Sequence, residues 1–160
     1  MGRMSHAQAP QSFGRVDDDG TVYVRTSDGE RSVGQVPDST SEEALEFFVR
    51  RYRALETEVS LLESRVSSGT ASPEEARSAA SKLVTSIREA NAVGDLESLA
   101  ARVEALTPTI DAKAETRREE RAEAKARAKQ AKEEMVAQAE AIAAGSDWRG
   151  GIGKFRDLLD

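Results

Sequence analysis

Residues 42–66, EEALEFFVRRYRALETEVSLLESRV, place Leu45, Phe48, Tyr52, Leu55, Val59, Leu62 and Val66 at successive spacings of 3, 4, 3, 4, 3 and 4. A helix turns once in about 3.6 residues, so these side chains form one apolar line. That is the a/d seam of a helix packed lengthwise on another, and it is the strongest periodic signal in the chain. Upstream, Ser39 with Glu42 or Thr40 with Glu43 offers a capping box just after Pro37. Downstream, SSGT at 67–70 ends the run. The seam is expected to pack on the chain's own helices at 72–90 or 95–110, with a homodimer as the alternative.

Those helices carry their own signals. In ASPEEA, Ser72 is the cap, Pro73 takes the first helical position and Glu75 completes a capping box. Ala76, Ala80, Leu83, Ile87 and Ala90 then fall on one face. Gly94-Asp95 interrupts, and Asp95 can cap again. Leu96, Leu99, Val103, Leu106 and Ile110 resume the 3, 4 spacing, while Thr107-Pro108 permits a kink or a fresh start. Residues 40–110 therefore read as a helical hairpin or small bundle.

The N-terminal side reads differently. Residues 1–13 are polar and are expected to be a disordered lead-in. In FGRVDDDGTVYVRTSDGERSVGQV, Asp19-Gly20 and Asp28-Gly29 mark hairpin turns between strands at about 14–17, 21–26 and 31–36. Val22 and Val24 share one face of the middle strand, and Tyr23 and Arg25 the other. Three short strands at 14–36 need a helix to cover their apolar face.

Residues 111–144 contain no helix breaker and predict one long helix. Its centre, RREERAEAKARAKQAKEE at 117–134, contains only alanine, charges and one glutamine. On a helical wheel Ala124, Ala128, Ala131, Met135, Ala139 and Ile142 form a narrow seam. Arg117, Arg121, Lys125 and Lys129 flank it at i, i+4 spacing. Glu115, Glu119 and Glu123 form the opposite stripe, which Arg127 interrupts. Neighbours of like sign at i, i+4 destabilise an isolated helix by a few tenths of a kcal/mol each. The stripes make sense if a second helix on the alanine seam neutralises them, or if nucleic acid lies along the basic one. A solvated stalk is the bland alternative. After Gly145, residues 146–160 carry Trp148, Phe155, Leu158 and Leu159 and predict a last short helix.

Composition narrows the function classes. Hydrophobic residues make up 38% of the chain and charged residues 32%, and the large apolar ones lie before position 111 and after 134, so the segment between can bury little core. The net charge of −6 argues against general affinity for polyphosphate, although residues 117–132 carry seven basic and three acidic side chains. With no cysteine there is no disulfide framework, thiol nucleophile or Cys-based zinc site. No apolar run approaches the roughly 18 residues of a membrane span, and the N-terminus lacks the apolar core of a secretory signal. A cytoplasmic location is expected.

Motifs of chemistry are missing. Aligning Gly20 of DDDG with the glycine of a calcium loop puts Arg15 on the first ligand position and Thr26 on the bidentate acid position, so the match fails. His6 is the single histidine and has no partner nearby in the lead-in. There is no phosphate-binding loop, and Gly150, Gly151 and Gly153 follow no visible strand. No enzyme activity, cofactor, metal or small-molecule substrate is expected.

The order of these segments resembles the N-terminal region of actinobacterial proteins that contain the domain of unknown function 349. The stretches that carry the likeness are FGRVDDDGTVYVRTSDGERSVGQV, EEALEFFVRRYRALETEVSLLESRV, VGDLESLAARVEAL and the Ala/Arg/Glu-rich arm, and it spans about residues 13–160. In that family the arm leads into helical repeats marked by a tryptophan and a basic residue, and Trp148-Arg149 is similar to the start of the first. The resemblance implies a chain truncated early in that repeat, and an elongated, cytoplasmic, helical protein working through macromolecular contacts. Some members are labelled DNA-repair ATPases, a label that the missing phosphate-binding loop does not support.

The expected fold is mainly α with a small N-terminal antiparallel β-meander: a helical hairpin or three-helix unit followed by a long, charged, coiled-coil-like helix. The expected function is that of a non-enzymatic coiled-coil interaction or scaffold protein, which binds a protein partner or itself through helices. The alternative is a nucleic-acid- or ribosome-associated module using Arg117, Arg118, Arg121, Lys125, Lys129 and Lys132.

Overall fold

The computed structural model describes residues 8–145 and Leu159. Three strands, β1 (Gly14–Val16), β2 (Thr21–Thr26) and β3 (Gly29–Gln35), form an antiparallel sheet in the order β1-β2-β3. Four α-helices follow: α1 (Ser41–Ser68), α2 (Pro73–Glu89), α3 (Leu96–Glu104) and α4 (Thr107–Ala143). The fold is thus mainly helical with an N-terminal meander. The chain divides into two compact units, residues 1–114 and 115–160.

The first unit begins earlier than expected. Residues 1–7, with His6, lie outside the described residues, but Pro10–Phe13 form a 3-10 turn in what reads as a disordered lead-in. Pro10 fixes its own φ at the start of the turn, and the Ser12 hydroxyl donates to the Ala9 carbonyl at 2.6 Å. Phe13 packs against the core and lies under the Arg25 guanidinium, 5.4 Å from the ring centre.

Each hairpin turn follows from local chemistry. Between β1 and β2, the Gly20 amide donates to the Asp17 carbonyl and the Asp17 amide to the Thr21 carbonyl, both at 2.9 Å. Asp19 Oδ1 accepts the Thr21 amide at 3.0 Å, which holds the Asp19 carboxyl below its usual pKa. β3 begins at Gly29 rather than near 31, because only Ser27 and Asp28 separate it from Thr26. There the Thr26 hydroxyl donates to the Gly29 carbonyl at 2.8 Å. The register shifts between Val22, paired with Gly34, and Tyr23, paired with Ser32, leaving Val33 as the extra residue of a bulge.

Alternation puts Val22, Val24 and Val33 on the buried face of the sheet, all 5% exposed or less. They join one continuous core with Ala44, Phe48, Val49, Leu96, Leu99 and Val103. Thr40, not Ser39, caps α1, its side chain accepting from the Glu43 amide at 3.2 Å. Gly69 ends the helix in the left-handed region at φ 74°, which a side chain rarely adopts. Ser72 and Glu75 close a reciprocal capping box on α2, and Asp95 caps α3 through the Ser98 amide at 3.1 Å. α3 and α4 are separated only by Ala105 and Leu106, and Pro108 falls in the first turn of α4, where no amide is needed. The helix therefore starts at Thr107, ahead of the expected 111.

Two glycines seat the aromatic side chains of α1. A Cβ at Gly34 would stand 2.6 Å from Phe48 Cζ, and one at Gly94 would stand 2.2 Å from Tyr52 Cδ2. Both rings therefore lie directly on backbone. The Val93 amide next to Gly94 donates to the Phe48 carbonyl at 3.1 Å, fastening the α2–α3 loop to α1. Basic side chains then close the helix ends. Lys113 Nζ donates to the Val66 carbonyl at the end of α1, and Arg31 donates to the Ala90 carbonyl, beyond α2, at 3.0 Å. A cation at a helix C-terminus is favoured by the unpaired carbonyls there.

Candidate interaction surface

The seam of α1 is used up inside the first unit. Phe48, Tyr52, Val59, Leu62 and Val66 are 7% exposed or less, and Leu45 and Leu55 pack partly buried against the same core. α1 meets α2, α3, β1 and the 3-10 turn. Arg102 of α3 reinforces this by pairing with Glu63 of α1, which pushes the Arg102 pKa up. None of these seven side chains faces solvent as a free helical seam.

Residues 115–143 of α4 form a different surface. They carry seven basic and seven acidic side chains, and the charges are sorted by face. At about 100° per residue, Arg117, Arg118, Arg121, Lys125, Lys129 and Lys132 all fall within a sector of about 120°. The seven glutamates fall in the opposite half of the wheel, accompanied only by Arg127. With a rise of about 1.5 Å per residue, the six cations extend over about 22 Å. All six are exposed, as are the seam residues Ala124, Ala128 and Ala131. The same seam reaches Met135, which is 39% exposed, and Val136 beside it is 56% exposed.

Few internal bonds offset this sorting. Arg118 pairs with Glu115 at 2.8 Å, and Gln130 donates to Glu134 at 3.4 Å. Arg121, Lys125, Lys129 and Lys132 form no ion pair among the described residues. The stripe of Arg117, Arg121, Lys125 and Lys129 shares its sector with Arg118 and Lys132, so the six cations named for the nucleic-acid alternative lie on one face.

Elsewhere the surface offers shallow hollows. One of about 540 Å³ is lined by Thr26, Asp28, Arg31, Arg88, Leu96 and Glu97. Another, of about 310 Å³, has a floor of Ala80, Val84 and Ile110, with the Arg77–Asp111 and Arg88–Glu104 ion pairs beside it at 2.8 and 2.6 Å. Among the described residues no polar or charged residue is buried, and no three His, Cys, Asp or Glu side chains are grouped to hold a metal ion. No helix among them is long and apolar enough to cross a membrane. The expected last helix, with Trp148, Phe155 and Leu158, lies outside the described residues; Leu159 is exposed.

Comparison with known proteins gives one match. Residues 98–160 fit the family model of the Domain of Unknown Function (DUF349). The matched stretch takes in most of α3 and all of α4, so it starts well before Trp148, where the first family repeat was expected. Neither the curated proteins nor the solved structures yield a match. Residues 98–160 are thus similar to the DUF349 family, a domain of unknown function.

Proposed function

We propose that this is a non-enzymatic interaction protein of the cytoplasm, whose charged helix docks a partner helix along Ala124, Ala128, Ala131 and Met135. The observation that carries this reading is the sorting of charge in residues 115–143. Six exposed cations share one face, the glutamates take the other, and a strip of alanine lies between them. A helix stabilised on its own would place opposite charges at i, i+4, where each pair adds roughly 0.2–0.5 kcal/mol. This one places mostly like charges there, with Glu123–Arg127 and Lys129–Glu133 the opposite pairs, and a partner helix with acidic and basic flanks in the complementary order relieves that repulsion. Small seam residues let two backbones approach closely. Replacing Ala124, Ala128 and Ala131 by glutamate in the full chain tests the reading. The helix should remain, by circular dichroism, while capture of protein partners is lost. Unchanged capture would overturn it.

A second reading rests on the width of the basic sector. Arg117, Arg118, Arg121, Lys125, Lys129 and Lys132 could follow a nucleic-acid backbone or a ribosomal RNA surface. Contact with about four to six phosphates gives a log–log salt slope of about −4 to −5 and no sequence preference. A gel-shift series with duplex RNA that shows no binding at low salt would remove it.

A further inference from the structure

The face of α1 turned away from the core carries its own heptad line. Phe47, Ala54 and Leu61 are spaced by seven residues, and all are exposed, Phe47 by 45% and Leu61 by 59%. Arg51 lies over the Phe47 ring, 5.2 Å from its centre. Around this line stand Glu43, Arg50, Glu58 and Arg65, which are exposed and form no ion pair among the described residues. We propose that this face binds a second copy of the chain, the two α1 helices crossing antiparallel about a two-fold axis at Ala54.

Charge complementarity selects that occupant and that register. A two-fold antiparallel pair centred on Ala54 sets each residue against the one equally far on the other side of position 54. Phe47 then meets Leu61, Arg50 meets Glu58, and Glu43 meets Arg65, each contact occurring twice. Alanine at the axis allows close approach. The competing arrangements oppose like charges. Parallel pairing in register sets Arg50 on Arg50 and Glu58 on Glu58. Moving the antiparallel register by one heptad sets Glu43 on Glu58 and Arg50 on Arg51 in one direction, and Arg50 on Arg65 in the other. Beside Phe47 lies a hollow of about 520 Å³ whose lining includes Glu42, Glu43, Glu46 and Arg50. In the Ala54-centred register it receives the partner's Leu61 and Arg65. This surface lies in the first unit and does not depend on the role assigned to residues 115–143.

The test uses the full chain, its mass followed by sedimentation over a concentration series. Wild type should dimerise. Arg50→Glu or Glu58→Arg alone should weaken the dimer roughly ten-fold, since each sets like charges together at two sites. Combining them should restore it. The chain has no cysteine, so Ala54→Cys should give a disulfide-linked dimer on oxidation, while Ser81→Cys on α2 should not. A wild type that stays monomeric throughout would overturn the proposal. So would a dimer indifferent to both reversals, or one that Ala54→Cys does not cross-link.

Discussion

Replacing Gly94 by alanine adds one carbon and a net two hydrogens at the glycine of the first unit where an added Cβ meets its neighbour most closely. The new Cβ would lie 2.2 Å from Tyr52 Cδ2, 2.3 Å from Cγ and 2.6 Å from Cε2. Real Cβ atoms do not come that close, so the ring or the loop must move. Tyr52 is only 7% exposed, and the adjacent Val93 is held by its amide to the Phe48 carbonyl, so neither side has free space. Overpacking of this kind costs about 1–3 kcal/mol. Native domains hold only about 5–15 kcal/mol in total, and 1 kcal/mol lowers Tm by about 4–8 °C in a domain of this size. Gly94→Ala should therefore lower Tm by at least several degrees, measured by the near-ultraviolet circular dichroism of tyrosine. The cost should fall when Tyr52 is also replaced by alanine, because the clash goes with the ring. A Gly94→Ala protein as stable as wild type would refute the seating of Tyr52 on the 93–94 backbone. So would a double variant whose loss is the plain sum of the two single ones.

Two further outcomes follow from the same unit. Burial, followed by the charges of Glu56 and Asp95, pushes the Tyr52 phenol up from its ordinary value. A raised folded-state pKa contributes stability that is present below the unfolded value of about 10 and is lost as pH rises through the folded one. Tyr52→Phe should thus flatten the alkaline fall in stability, read from urea midpoints between about pH 8 and 11; parallel curves for the two proteins would count against it. Ser72→Ala removes the acceptor for the Glu75 amide and one half of the capping box on α2. The urea midpoint should fall by the equivalent of about 1 kcal/mol with the slope unchanged.

The parts of the fold legible in the sequence are those set by local rules. The 3, 4 spacing of Leu45 to Val66 and of Leu96 to Ile110 fixes which faces are buried, and Ser72-Pro73 and Asp95 mark where α2 and α3 start. Two adjacent capping choices, Ser39 and Thr40, have the same chemistry, so the spacing left both open. The seats of Phe48 and Tyr52 were hidden for another reason: a glycine gives no sign of what approaches it from far along the chain. The outer face of α1 did leave a trace. Phe47-Phe48 and Leu61-Leu62 are doubled, and adjacent helical residues point about 100° apart, so one member of each pair must miss the core. In residues 115–143 the stripes were legible, Arg118 and Lys132 included, because helical spacing alone sets which charges share a face.

The most direct test of the account reverses the basic face and asks which partners leave. Full-length protein and an Arg121→Glu, Lys125→Glu, Lys129→Glu variant would be purified by affinity from cells, with and without nuclease, and the co-purifying proteins quantified. The account predicts a set of proteins that survives nuclease with the wild type and is lost from the variant. It is contradicted if wild type and variant capture the same proteins, or if everything lost with the basic face is also lost to nuclease.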